Sequence, residues 1–144
     1  MVNRFSLRRF EVIGAREPTS WQGGIAVPVI DDVPLYIRIN EQLMPGMPAG
    51  AIAPPQREWL GEPYVIPGDQ DTRATVIEGG CHVSWCCGVH AAITIDEQVV
   101  TWSDFVVGPC EEIDLGPFTF DRTEYEAAIA NVMDVPTIAW RING

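Results

Sequence analysis

The stretch Val89-His90-Ala91-Ala92-Ile93-Thr94-Ile95-Asp96-Glu97-Gln98-Val99-Val100-Thr101-Trp102-Ser103-Asp104-Phe105 sets two β-prone runs on either side of a short polar link. β-branched and aromatic residues fit a pleated, half-buried surface, and a tight polar link turns the chain back on itself, so this stretch predicts a β-hairpin. On its second strand Val100, Trp102 and Asp104 are expected on one face, with Val99, Thr101, Ser103 and Phe105 on the other. The Trp102 face is expected to be the buried one. Trp102 and Asp104 are the candidate interaction residues.

Outward from the hairpin, the C-terminal side reads as a helix. Asp121 can accept a hydrogen bond from the free N–H groups of a first turn, and Glu124, three residues on, can return the bond to the cap. Tyr125, Ala128, Ile129, Val132 and Met133 then recur at i, i+3, i+4, i+7 and i+8, an apolar stripe able to cover a sheet face. This helix starts near Arg122 and ends before Pro136. Thr137 to Ile142 alternates again and predicts a last edge strand.

On the N-terminal side Phe5 to Ile13 suits a strand broken by Gly14, and Ile25 to Ile30 a second strand that Pro28 would place at an edge. Asp31 or Asp32 as cap, Pro34 in the first turn and Leu35, Ile39 and Leu43 at four-residue spacing predict a short helix over 33–43. An extended reading of Leu35 to Ile39 also fits their alternation. Prolines and glycines between Pro45 and Gly68 predict a long irregular loop at about 45–68, pinned to the core by Trp59, Leu60, Tyr64, Val65 and Ile66. Thr72 to Glu78 reads as a short strand. The whole is an α+β chain of one domain, 1–144: a mainly antiparallel sheet with one amphipathic C-terminal helix packed on it and a second short helix.

With 9 basic and 20 acidic residues the net charge is −11. Such a surface repels nucleic-acid phosphates and anionic lipid, and it steers a protein partner with a basic surface toward it. Residues 1–10 lack the apolar core of a secretory signal, and no run of about 18 apolar residues could span a bilayer, so a cytoplasmic location is expected. There, cysteines are expected as thiols, metal ligands or redox groups more often than as structural disulfides.

Cys81, Cys86 and Cys87, with His82 and His90 beside them and Cys110 further on, are the residues suited to zinc or to thiol chemistry. Cys81, Cys86, His82 and Cys110 are the candidate metal ligands. Their spacing lacks the paired C-x-x-C turns of zinc ribbons, and adjacent Cys86 and Cys87 would point to opposite faces of a strand. Buried structural thiols are the competing reading, because free cysteine is among the most buried residue types. Glu111, Glu112 and Asp114 form an acidic cluster without a recognisable ligand spacing, as do Asp69 and Asp71. No catalytic residue and no cofactor other than zinc is indicated. The expected function is a non-enzymatic, acidic interaction domain of immunity-like or regulatory type, with a thiol- or zinc-dependent function centred on Cys81 and Cys86 as the alternative.

Val100-Thr101-Trp102-Ser103-Asp104-Phe105 and Gly116-Pro117-Phe118-Thr119-Phe120-Asp121-Arg122-Thr123-Glu124-Tyr125 carry a resemblance. Over about residues 79–130 the chain resembles uncharacterised small proteins best known from actinobacteria. These have a short cysteine cluster followed by Val-x-Trp-x-x-Phe and Gly-Pro-Phe-x-Phe-Asp-Arg-x-x-Tyr. Gly79 stands where the first cysteine of the cluster would be, so Cys81 and Cys86 match and Cys87 is private to this chain. The resemblance implies no activity.

Overall fold

The hairpin forms as its pattern requires, with strand β6 (Gly88–Ile95) paired antiparallel to β7 (Val99–Val107). Asp96 makes the turn: its carboxylate accepts the N–H groups of Gln98 and Val99, each at 2.8 Å. The computed structural model describes residues 2–13, 24–39, 50–52, 57–62, 73–78, 88–108 and 111–141. In this sheet β5 (Ala74–Glu78) flanks β6. On the far side of β7, β9 (Phe118–Asp121) pairs with Val99–Trp102 and β8 (Glu111–Glu112) with Val106–Val107.

Between those two pairings β7 carries an extra residue. The register with β6 shifts between His90↔Val106 and Ala92↔Ser103, and Asp104 adopts a φ of 54°. Such a bulge reverses the in-and-out alternation beyond it. The expectation that Asp104 shares the Trp102 face is therefore corrected: Trp102 is 0% exposed, Asp104 lies in solvent, and Phe105 is buried instead of facing out. The left-handed backbone is costly for side chains branched at Cβ and free for glycine. Asp104→Gly is expected to leave stability unchanged or raise it by up to about 0.5 kcal/mol, and Asp104→Val to lower it by about 1–2 kcal/mol. Urea midpoints that rank valine at or above glycine would contradict this account.

The second sheet has the order β10-β1-β2-β3, built from β1 (Phe5–Ile13), β2 (Ile25–Ile30), β3 (Val33–Pro34) and β10 (Thr137–Arg141), with β4 (Ala51–Ile52) also on β2. β10 is the expected edge strand, and it runs parallel to β1, from Arg9↔Thr137 to Ile13↔Arg141. Pro28 does not put β2 at an edge. β2 is held by β1 on one side and by β3 and β4 on the other, and Pro28 faces the gap between those two short partners. The Asp31 N–H donates to Arg4 O at 3.0 Å, so Val29 and Val27 also face β1 and the nitrogen of Pro28, which has no hydrogen, faces away.

Asp31 and Asp32 cap no helix. Both have positive φ, 50° and 65°, and form the two-residue link between β2 and β3. Helix α1 covers Leu35–Ile39, with Pro34 in the strand before it, and residues 40–43 of the expected helix lie outside the described residues. The proline-rich span also holds more order than expected: β4, then a 3-10 turn at Arg57–Leu60 that buries Trp59 while Leu60 stays exposed. Tyr64, Val65 and Ile66 lie outside the described residues. Gly50, just before β4, is where the two sheets meet. Its carbonyl accepts the Glu78 N–H at 3.0 Å, and a Cβ placed on it would stand 2.1 Å from Ala26 O.

Helix α2 (Arg122–Ala130) begins where its cap predicts, with the Asp121 carboxylate accepting the Glu124 N–H at 2.9 Å. It buries Tyr125 and Ile129 against both sheets, and Val132 follows in a 3-10 turn over Val132–Asp134. That tighter turn breaks the 3.6-residue period, leaving Met133, expected on the stripe, 55% exposed. One apolar cluster draws on both sheets and α2, with Phe5, Trp59, Trp102, Phe120 and Tyr125 at its centre. Among the described residues no helix is long and apolar enough to cross a membrane.

Candidate functional site

β1 meets α2 along an open groove of about 630 Å³. Arg4, Phe5, Ser6 and Leu7 form one wall, and Asp121, Thr123, Glu124, Ala127, Ala128 and Asn131 the other, with Val135 at the far end. The groove exists because β10 covers only half of β1. The ladder between them starts at Arg9↔Thr137, since the chain just before it is a 3-10 turn followed by Pro136, which has no N–H to extend the pairing.

A polar network closes the near end of the groove. Glu124 does not return its bond to the cap as a capping box would. Its carboxylate instead accepts the Phe5 N–H at 2.8 Å and the Arg4 Nε–H at 2.9 Å, so it occupies the place of a strand partner. The Asp31 carboxylate accepts the Arg4 N–H and an Asn3 Nδ2–H, both at 2.7 Å. Asn3 completes the link to the hairpin sheet: its N–H donates to Thr119 O at 2.6 Å, and its Oδ1 accepts the Thr119 N–H at 3.0 Å. At the other end the Arg9 guanidinium donates to Met133 O and Val135 O.

The backbone N–H of Arg4, with Asn3 and then the nearby arginines in support, holds the Asp31 carboxyl below the usual aspartate range against a small desolvation cost. Because its pKa is lowered in the fold, the stabilisation is present above the unfolded value and lost as pH falls through the folded one. Unfolding midpoints should thus decline below about pH 4. Asp31→Asn, which still tolerates a positive φ, should decline less steeply there. Parallel curves for the two proteins would show that Asp31 contributes nothing to acid sensitivity.

Elsewhere the expected residues are placed unevenly. Cys81, His82, Cys86, Cys87 and Cys110, the candidate zinc and thiol group, lie outside the described residues, as do Asp69 and Asp71. Among the described residues no group of three or more His, Cys, Asp or Glu side chains could hold a metal ion. His90 is half-buried on β6, with its Nδ1 in hydrogen-bonding contact with the Thr75 hydroxyl at 3.2 Å. Glu58, 4% exposed, accepts the Thr75 N–H at 3.2 Å and so satisfies the outer edge of β5. Glu111, Glu112 and Asp114 are exposed around β8 and take no part in the groove. Trp102, offered as an interaction residue, is wholly buried and holds the core together; Asp104 alone of that pair reaches solvent.

The local sequence carries no mark of the groove or its network. Glu124 stands at the spacing of a helix cap, but nothing near Arg4 or Asn3 in sequence signals a partner some 120 residues away. All nine basic residues are arginines. The described ones are largely engaged within the chain: Arg4 by Glu124, Arg9 by two carbonyls, Arg38 by Ile30 O, Arg57 by Glu62, Arg73 by Asp104 O and Arg122 by Asp96 O and Glu126. No family model, no curated protein and no solved structure matches this chain.

Proposed function

We propose that this chain is a non-enzymatic interaction domain, of immunity-like or regulatory type, that docks through its acidic surface onto a protein with a basic surface. The observation that carries the reading is the fate of its charges. Six of the described arginines have a carbonyl or carboxylate partner within the chain, Arg4 and Arg57 while still largely exposed, whereas Glu97, Asp104, Glu111, Glu112, Asp114 and Asp134 stand in solvent. The net charge of −11 leaves acidic groups in excess on that surface, which favours a partner with a basic one. The same field disfavours nucleic acid and anionic lipid. A cytoplasmic setting accords with the free-thiol reading of the cysteines.

The test is recovery of a specific partner on the immobilised protein at about 50 mM salt, followed by reconstitution with that partner purified. Electrostatic docking of this kind should lose at least about tenfold in affinity between about 50 and 300 mM salt, where the Debye length contracts. Replacing Glu111 and Glu112 together by lysine should weaken it further at the lower salt. Failure to recover any specific partner, or an affinity indifferent to salt, would count decisively against the reading.

A further inference from the structure

We infer that the groove between β1 and α2 receives an extended, arginine- or lysine-bearing segment of the partner, which adds to β1 as a strand in the place that β10 leaves open. The inference rests on the acidic-docking reading and names where and how the partner binds. Its first support is the direction of the backbone. Phe5 N–H points to Glu124 and Arg4 O to β2, so in an extended strand the N–H and C=O of Leu7 face the groove. Among the described residues the ladder on that side begins only at Arg9. A strand edge ending in an open channel is the geometry of peptide recognition by strand addition.

Charge decides what kind of segment fits. Asp121 and Glu124 line the channel, Asp31 sits behind Arg4, and Asp134 stands just before Val135. The two arginines nearby are already held, Arg4 by Glu124 and Arg9 by the carbonyls of Met133 and Val135. The lining carries two carboxylates, Asp121 and Glu124, against one guanidinium, the exposed Arg4, so an incoming cation is favoured over a carboxylate. Small Ala127 and Ala128 on the helix wall leave room for the alternate side chains of an extended peptide.

The probe is an acetylated, amidated peptide of about seven residues alternating arginine and valine, which would span β1 from Arg4 to beyond Leu7. At low salt it should bind and slow exchange of the Leu7 amide. Methylating its alternate backbone nitrogens keeps every charge but removes donors, and should weaken binding about tenfold. Ala127→Trp, an exposed helix position that fills the channel, should do the same. Binding that is indifferent to both changes, with Leu7 exchange unaltered, would overturn the groove and leave acidic docking standing. Absence of any binding at low salt would overturn both.

Discussion

Trp102→Ala is expected to cost about 3–5 kcal/mol, enough to leave a domain of ordinary stability largely unfolded at ambient temperature. The indole is 0% exposed and sits at the centre of the aromatic cluster, with ring centroids 5.6 Å from Phe5, 5.5 Å from Phe120, 6.1 Å from Tyr125 and 6.3 Å from Trp59. These rings come from both sheets, the 3-10 turn and α2, so removing the indole opens a cavity where every layer meets. Edge-to-face pairs add to the loss beyond the buried area. Trp102→Phe keeps a ring in the space and should cost distinctly less. Circular dichroism with urea titration measures both; an alanine variant within about 1 kcal/mol of the parent would show that the cluster does not carry the fold.

Tyr125→Phe should cost about 2–4 kcal/mol, although it deletes a single oxygen. That oxygen accepts the Trp102 Nε1–H at 3.1 Å and donates to the Trp59 carbonyl. Burial pushes the Tyr125 phenol well above the usual tyrosine range, with the Trp102 donor opposing in part, so it stays protonated and able to donate. Phenylalanine strands a buried donor and a buried acceptor at once, and each unsatisfied group bears its own desolvation cost. Because Trp102 and Tyr125 share one bond, the cost of Tyr125→Phe should shrink by about 1 kcal/mol in a Trp102→Phe background. Additive effects in that double-mutant cycle would mean the hydroxyl is not the hub that the geometry makes it.

Much of this architecture could be read along the chain. Two β-prone runs about a polar link make the β6–β7 hairpin, and Asp96 closes it by accepting the N–H groups of Gln98 and Val99. Asp121 caps α2, and the periodic Tyr125 and Ile129 fall on its buried stripe. Each depends on forces acting within about four residues, which a sequence displays directly. The α+β class, the mainly antiparallel pairing and the edge strand at Thr137 follow from the same local patterns.

Other features were decided only when distant segments met. Which residue of β7 bulges depends on where β8 and β9 divide its outer edge, so the exposure of Asp104 and burial of Phe105 could not be seen in their alternation. Asp31 and Asp32 carry the signal of a helix cap and of a tight turn alike; the pairing of β2 with β3, and the Arg4 N–H waiting on β1, chose the turn. Glu124 had a cap to complete and was drawn instead to Phe5 and Arg4. The groove has the least local signature of all. It arises because Pro136 and the turn before it stop β10 short of Leu7, a consequence of register between two strands more than a hundred residues apart.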